Sequence, residues 1–457
     1  MFKRVAMVFL AIVMALSIGI GGVACNRGGL VDESLDEEGN INMNKPLVIR
    51  FAAPEGQFGD EIEMFAKGFK ELYPNVTIKY EPIAGSWTEK LAGQFAAGNA
   101  PDVFWTDEVQ SYASNGLLED LNPYFEKYGV NKSDYYESMF ALGEYEGGLY
   151  LMPREYNKVV VYINTQIFDT VFGSMSRDEL PFTPREGTNY PANGWTWDEF
   201  LETAQMIAQK QDGNFVRRGA EISFSWGSSG PIIFTSLGGT IRSESNGQEG
   251  IDFNNSTNQA ILQEIVDLVE SGAFNNEILP DVGDFFSGRI GMMFNSRPAT
   301  STMEEADALS GKWDVVSFPT LPDGAIPTGA SGYVLNAQSK VKELAATLLF
   351  YIISEEGQEL FMETGNCIPI MRSLAEDENA MWRQYPEREI NQDAFVYGDD
   401  EKSVLPYKYE FENLNAVKNF ESVWKGYVTP ALLNGDMTVA EAMEYSQSQL
   451  ETIFSNT

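Results

Sequence analysis

The chain has 457 residues, of which 43% are hydrophobic and 21% charged, which is typical of a globular protein with enough core for two domains. Its 31 basic and 67 acidic residues give a net charge of −36 at pH 7, which excludes nucleic-acid binding by electrostatic attraction. The sequence contains no histidine, and this excludes Ser-His-Asp and Cys-His nucleophilic systems and His-containing zinc sites.

The N-terminus has the pattern of an export signal. Lys3 and Arg4 precede an apolar run over residues 5–24, which ends in small residues directly before Cys25. A membrane-spanning anchor is the alternative, because about 20 apolar residues can cross a bilayer. Small residues followed by a cysteine resemble the bacterial lipobox, although Gly22 stands where a large aliphatic residue is usual. We predict a signal peptide over 1–24 and lipidation of Cys25, which would anchor the chain to the membrane outside the cytoplasm.

The segment that follows Cys25 is polar and acidic up to Lys45. We predict that residues 25–45 comprise the lipidated cysteine and a disordered tether, because the segment has almost no apolar residues to bury. If Cys25 is acylated, Cys367 is the one cysteine left, so no internal disulfide is expected and the fold depends on its core.

Strand and helix patterns alternate in the next part of the chain. Short apolar or alternating runs predict strands over 47–52, 76–80 and 101–105, and apolar residues at helical spacing predict helices over 61–73 and 87–97. This β-α-β-α-β order predicts a parallel sheet covered by helices, with ligands bound beyond the carboxyl ends of the strands.

The α/β character continues in the rest of the chain. We predict a strand over 158–163 and helices over 197–209, 258–271 and 342–362. Residues 376–402 are acidic, contain Pro386 and Gly398, and show little periodicity, so we predict a surface insertion there.

Several short motifs are distributed along most of the chain. The longest is Ala96-Ala97-Gly98-Asn99-Ala100-Pro101-Asp102-Val103-Phe104-Trp105, and later ones include Gly147-Gly148-Leu149-Tyr150, Tyr162-Ile163-Asn164, Trp195-Thr196-Trp197 and Phe286-Ser287-Gly288-Arg289. Their order and spacing resemble the family-1 extracellular solute-binding proteins of ABC importers, the maltose-binding-protein-like class. Phe51-Ala52 departs from the many sugar-binding members that have Trp at this point.

The resemblance implies an α/β, two-lobed periplasmic-binding-protein-like fold of type II. Each lobe would be a mainly parallel sheet flanked by helices, with a hinge between the lobes. Lobe one would hold 46–155 plus 328–371, and lobe two 156–327 plus 372–457. The implied function is capture of a carbohydrate, most simply an oligosaccharide, by hinge closure and its delivery to the membrane permease of the importer. We expect a monomer without enzymatic activity, cofactor or metal site.

Sugars need carboxylates, amides or arginine for their hydroxyls, and aromatic rings for their C–H faces. Strand ends and family position together predict the ligand contacts Trp87, Trp105, Asp107, Glu108, Tyr156, Trp226, Ser229, Arg297, Ser331, Gly332 and Tyr407. Each also has a structural alternative: core packing for Trp105, a helix-capping contact for Trp87, and a hinge role for Tyr156.

Other functions stay open at the level of sequence. A glycoside hydrolase needs two carboxylates and no histidine, but no carboxylate pair here lies in a recognisable hydrolase motif. The same fold also serves sensors, adhesins and receptors for solutes that are not sugars. A calcium ion stays open in so acidic a chain, although no EF-hand spacing is present.

Overall fold

The computed structural model describes residues 31–56, 58–106, 108–222, 229–245, 248–276, 282–329, 331–398, 400–404 and 422–455. These residues fall into two compact units. The first comprises the described residues of Met1–Tyr156 and Ala330–Trp382, and the second those of Asn157–Gly329 and Arg383–Thr457. The predicted boundaries between the lobes follow residues 155, 327 and 371, whereas those between the two units follow 156, 329 and 382. The predicted and the observed division therefore differ most over residues 372–382.

The strands are β1 Leu47–Pro54, β2 Val76–Ile83, β3 Val103–Thr106, β4 Glu144–Tyr145, β5 Gly148–Leu149, β6 Leu151–Pro153, β7 Val160–Asn164, β8 Gln209–Gln211, β9 Asn214–Glu221, β10 Arg242–Ser245, β11 Gln248–Ile251, β12 Ile290–Asn295, β13 Trp313–Ser317, β14 Ile326–Pro327, β15 Gly332–Leu335 and β16 Ser403–Val404. The α-helices are α1 Gly59–Leu72, α2 Trp87–Ala96, α3 Val109–Ala113, α4 Asn122–Tyr128, α5 Thr165–Phe172, α6 Trp197–Ile207, α7 Gly230–Ser236, α8 Ser256–Ser271, α9 Val282–Phe286, α10 Ala299–Glu305, α11 Lys342–Ile352, α12 Glu355–Met362, α13 Arg372–Ala375, α14 Thr429–Leu433 and α15 Val439–Ser455.

The first unit contains a five-stranded sheet in the order β2-β1-β3-β15-β6. Strands β1, β2 and β3 pair in parallel, and β15 pairs antiparallel with both β3 and β6, so β6 runs in the direction of β1. The β1-α1-β2-α2-β3 order confirms the alternation predicted for residues 47–105. It also brings the carboxyl ends of four strands to one edge of the sheet.

Aromatic side chains form much of the core of the first unit. Phe65 and Phe69 lie one helical turn apart on the buried face of α1, and both are fully buried. The ring of Phe51 on β1 meets that of Tyr333 on β15 edge to face, with 4.7 Å between their centroids. Burial of each such ring contributes about 1.5–3 kcal/mol, so these contacts hold α1 and the sheet together.

The second unit has a five-stranded sheet in the order β13-β7-β12-β9-β8. Strands β9 and β12 are parallel, whereas β7 pairs antiparallel with both β12 and β13. Strand β7 is buried at every position, as expected of a central strand covered on both faces. The two sheets with their flanking helices confirm the predicted α/β fold class.

The long helix predicted over 342–362 is two helices, α11 and α12. The side chain of Ser354 accepts a hydrogen bond from the backbone N–H of Gly357, which is an N-cap for α12. A Cβ at Gly357 would lie 2.1 Å from the carbonyl oxygen of Tyr351, so the close approach of the two helices requires glycine. Apolar spacing alone did not reveal this break.

Part of the predicted tether is folded onto the first unit. An Asp32 carboxylate oxygen accepts a hydrogen bond of 2.8 Å from the backbone N–H of Glu343, at the first turn of α11. Ser34 is fully buried, and Leu35 forms a β-bridge with Ile41. The described residues from 31 onward thus have defined contacts, where composition alone predicted a disordered tether. Within the described ranges, no helix has both the length and the apolar character needed to cross a membrane.

The predicted surface insertion over 376–402 also contributes to the interior. Trp382 and Phe395 are fully buried, and Ile390 and Ala394 are buried as well. The helices described in this segment are short 3-10 helices, which have too few turns to produce a periodic apolar pattern. Composition therefore suggested a surface location for a segment that carries core residues.

Close packing at β15 yields a stability prediction for Gly332. A Cβ there would lie 2.2 Å from the carbonyl oxygen of Met152 on the neighbouring strand, so Gly332→Ala should destabilise the protein by about 1–3 kcal/mol. Gly93, on α2, has no atom within 4 Å of an added Cβ, and Gly93→Ala should stabilise by up to about 1 kcal/mol. Urea unfolding of both variants measures the difference; equal stabilities would contradict the packing at Gly332.

Candidate functional site

The carboxyl edge of the first-unit sheet brings together most of the predicted residues of that unit. Gly332 pairs with Thr106 on one side and with Pro153 on the other, so the ends of β3 and β6 flank the start of β15. Trp105 is on β3, Glu108 follows it, and Ser331 directly precedes β15. Because β2 ends at the same edge, Trp87 at the start of α2 lies there too.

Three aromatic side chains at this edge form what we call the aromatic cluster, Phe58, Trp87 and Trp105. The ring of Trp105 stacks on that of Phe58 with centroids 5.2 Å apart, and Trp87 meets Trp105 edge to face at 6.3 Å. Both tryptophans are half-buried. The indole Nε1 of Trp105 is buried and has no hydrogen-bond partner in the described part of the chain. Such a donor is satisfied when a ligand supplies an acceptor.

A buried charged network lies beside the aromatic cluster. The guanidinium of Arg154, which follows β6, bonds a carboxylate oxygen of Glu61 on α1 and one of Glu155, each at 2.5 Å. Its Nε donates to the hydroxyl of Ser331 at 3.1 Å, and Tyr333 donates its hydroxyl proton to Glu61. We call these five residues the Arg154 network.

Burial controls protonation in the Arg154 network. Desolvation raises the pKa of Glu155 to about 7, although the positive charge of Arg154 opposes this, and it also raises the pKa of Glu61. One guanidinium thus faces two carboxyl groups, Glu61 and Glu155, and the pKa of each lies above its ordinary value. The guanidinium also lies 5.0 Å above the ring of Phe58, which joins the network to the aromatic cluster.

Three other predicted residues of this unit have contacts within it. Tyr156 is buried and its ring stacks on that of Tyr136, with centroids 3.7 Å apart and an angle of 8°. Gly332, the first residue of β15, packs closely against the backbone of Met152 on the neighbouring strand. Half-buried Glu108 donates its backbone N–H to the Thr106 hydroxyl at 3.0 Å and is the N-cap residue of α3. These positions fix the edge, whereas the two tryptophans present rings at it.

In the second unit, the parallel strands β9 and β12 end side by side. Met293 pairs with Glu221, the last residue of β9, and Asn295 ends β12. Arg297 is the second residue after β12, and fully buried Ser229 precedes α7. Predicted residues Asp107, Trp226, Tyr407 and Cys25 lie outside the described residues.

Arg297 has partners of its own within the second unit. It is 1% exposed, donates to the side-chain oxygen of Gln392 at 2.7 Å and to the carbonyl oxygen of Tyr385 at 2.6 Å, and lies 4.9 Å above the ring of Phe395. These contacts pack the end of β12 against the segment around residues 385–395. A loss of ligand affinity in an Arg297 variant would therefore not by itself identify a ligand contact.

Glu221 is a buried carboxyl group at this strand end that the sequence did not single out. It is 5% exposed, and its carboxyl group has neither a hydrogen bond nor an ion pair with any of the described residues. Burial alone raises its pKa to about 8, so the group is largely protonated at neutral pH. A carboxyl group in this state can donate a hydrogen bond as well as accept one.

Comparison with known proteins identifies the family. Residues 52–359 match the family described as bacterial extracellular solute-binding protein. The chain belongs to this family. An ABC substrate-binding protein from Listeria monocytogenes, solved with cycloalternan, is 20% identical, with 90% of this chain and 100% of that chain covered and a TM-score of 0.67. The maltose-bound MalE3 of T. maritima is 19% identical. The match covers 89% of this chain and 100% of that chain, with a TM-score of 0.67.

A third similar structure is the sugar-binding protein MalE from Xanthomonas citri. It is 16% identical, covers 90% of this chain and 98% of that chain, and has a TM-score of 0.69. At these identities the likeness establishes the shared fold. It also confirms the two-lobed binding-protein fold that the resemblance implied.

Sequence reasoning did not predict three residues of these strand-edge groups. Arg154 directly follows the strand Leu151–Pro153, and this position is the usual signal for a site residue. Glu61 lies 93 residues from Arg154 in the sequence, and nothing local indicates the pairing. Glu221 ends a strand whose polar first half lacks an apolar pattern.

The buried carboxyl group of Glu221 gives a pH prediction. Its pKa of about 8 is above the ordinary 4.5, so the folded chain binds this proton more tightly than the unfolded chain. Its stabilising contribution is therefore complete below about pH 4.5 and is lost as the pH rises through about 8. Between pH 5 and pH 8 the free energy of unfolding of the unmodified protein should fall by up to about 1.4 kcal/mol per pH unit relative to that of Glu221→Gln.

Urea unfolding at several pH values in this window tests the prediction. Glu264→Gln, which alters an exposed carboxylate on α8 of the same unit, is the matched control and should keep the pH dependence of the unmodified protein. If Glu221→Gln and the unmodified protein show parallel stability curves, Glu221 is ionised in the folded state and this description of the strand end is wrong.

Proposed function

We propose that the chain is the extracytoplasmic substrate-binding component of an ABC importer and that it captures a carbohydrate, most simply an oligosaccharide. The observation that carries the proposal is the aromatic cluster beside the Arg154 network at the carboxyl edge of the first-unit sheet. Relatives solved with cycloalternan and with maltose support a sugar as the ligand. We infer a monomer that hands its ligand to the permease subunits of the importer.

The chemistry of this edge suits a sugar. The C–H face of a pyranose stacks on an aromatic ring, and the half-buried rings of Trp87 and Trp105 offer such faces. Sugar hydroxyls both donate and accept hydrogen bonds, so one of them can accept from the indole Nε1 of Trp105. Stacking and a directed hydrogen bond from the same side chain would orient a ring. Closure of two lobes around the ligand stays a prediction of the resemblance.

We infer binding without catalysis. Glycoside hydrolysis needs one carboxyl group that gives a proton and a second that acts as base or nucleophile across the scissile bond. At the first-unit edge, Glu61 and Glu155 both bond the single guanidinium of Arg154. Carboxylates held on one cation do not flank a space for a sugar, which favours a receptor over a hydrolase.

We also propose that Cys25 is lipidated and anchors the chain at the outer face of the cell membrane. The apolar run over residues 5–24 and the small residues before Cys25 support this proposal. In the native host, Cys25→Ser should move the protein from the detergent phase to the aqueous phase in a Triton X-114 partition, because two acyl chains are needed for stable anchoring. Partition of both forms into the detergent phase would indicate an uncleaved apolar anchor instead.

A binding titration tests the carbohydrate proposal. Isothermal titration calorimetry with maltose, maltotriose and a cyclic glucan should give saturable binding to at least one sugar. Trp105→Ala should weaken it at least about tenfold, because tryptophans at the centre of a site carry a large share of the binding energy. Tyr445→Ala, which removes an aromatic ring 57% exposed on α15, is the control and should leave affinity unchanged.

Mass spectrometry of the sugars after titration separates the alternatives. Recovery of the sugar intact supports a receptor, and shorter products would identify a hydrolase. Binding that survives Trp105→Ala unchanged would contradict the assignment of the aromatic cluster. Absence of binding to every sugar would contradict a carbohydrate ligand of this class.

A further inference from the structure

A second concave site lies at the other edge of the second-unit sheet. Strand β9 runs from Asn214 to Glu221 and β12 from Ile290 to Asn295, and a cavity of about 150 Å³ opens where both strands begin. Its lining consists of Phe215, Val216, Arg217, Arg218, Asn275, Asn276, Asp284, Arg289 and Ile290. We call this cavity the arginine pocket.

The charge of the arginine pocket is unusual for this chain. Acidic residues outnumber basic ones by 67 to 31 in the whole sequence, yet the described lining of the pocket contains three arginines and one carboxylate. The carboxylate, Asp284, is ion-paired with Arg289. Lys210 adds a fourth cation close by, with its Nζ 4.3 Å above the ring of Phe215. The pocket is therefore a local positive site on a strongly acidic protein.

Two of these arginines are held in place by backbone carbonyl groups. Arg218 donates from Nη1 to the carbonyl oxygens of Val269 and Phe274, both at 2.8 Å, at the C-terminal end of α8. The Nε of Arg217 donates to the carbonyl oxygen of Ile207 at 2.8 Å. This single bond fixes the direction of the Arg217 side chain.

Arg217 is one of the residues that line the pocket. It is half-buried, and within the described residues it forms no ion pair. Burial lowers the pKa of its guanidinium, and no neighbouring carboxylate raises it again. A partly desolvated cation without a counter-ion is unfavourable, and an anionic ligand would remove this penalty.

We propose that the arginine pocket binds a small oxyanion, a phosphate or carboxylate group, through the guanidinium groups of Arg217 and Arg289. Planar guanidinium groups form paired hydrogen bonds with the oxygens of either group. The cavity of about 150 Å³ is large enough for one such group. This site does not depend on the proposed carbohydrate function.

Calorimetric titration of the full chain with inorganic phosphate, and separately with succinate, tests the proposal. Chloride is adjusted to keep ionic strength constant, so that general screening is the same throughout. We expect saturable binding of at least one anion, and binding of only one identifies the class. Arg217→Gln and Arg289→Gln should each weaken binding at least tenfold.

Arg177→Gln is the matched control, because Arg177 also lies in the second unit and also donates to one backbone carbonyl, that of Pro184. Its affinity for the anion should equal that of the unmodified protein. If circular dichroism shows that Arg217→Gln is misfolded, Arg217→Lys keeps the charge and should bind more weakly than the unmodified protein but measurably. Absence of saturable binding of both anions, or binding that neither pocket variant weakens, would overturn the proposal.

Discussion

The buried guanidinium of Arg154 connects the parts of the first unit on which its strand-edge site depends. It bonds Glu61 on α1 and Glu155 after β6, and Ser331 before β15 accepts a hydrogen bond from it. A buried charge is tolerated only when it is paired and hydrogen-bonded, and removal of one partner of such a pair costs about 3–5 kcal/mol. The guanidinium also lies above Phe58, whose ring supports Trp105. The position of the aromatic cluster therefore depends on an electrostatic network as well as on packing.

Acidity has different consequences at different depths of this protein. The formal net charge of −36 counts all 67 acidic residues as ionised. In the interior, desolvation raises the pKa of Glu155 to about 7 and that of Glu221 to about 8, so these groups hold protons near neutral pH. Two arginines, Arg154 and Arg217, also differ in whether carboxylates lie beside them. Arg154 is neutralised by carboxylates of its own unit, whereas the half-buried Arg217 has no such partner among the described residues.

Local pattern predicted the fold well wherever elements are regular. The strands and helices over residues 47–105 and the family motifs were enough to predict two α/β units and the importance of strand ends. Prediction from composition failed where order comes from specific caps, as at Asp32, or from short 3-10 helices, as around Trp382 and Phe395.

The site was less predictable, because its contacts join distant parts of the sequence. The strand-end rule predicted Trp87 and Trp105 as ligand contacts, and the structure brings their rings together at one edge of the sheet. Arg154 and Glu61, however, meet across 93 residues, and Arg297 meets Gln392 across 95. Whether an arginine faces ligand or packs against its own unit depends on such partners. A single sequence, without homologues to compare, carries no signal for them.

A crystal structure of the protein soaked with maltotriose is the most direct test of the central claim. The account predicts electron density for a sugar ring stacked on Trp105 or Trp87, with a sugar oxygen within hydrogen-bond distance of the Trp105 indole Nε1. Sugar bound away from both tryptophans, while the Arg154 network keeps its geometry, would contradict the assignment of this edge as the binding surface of the first unit.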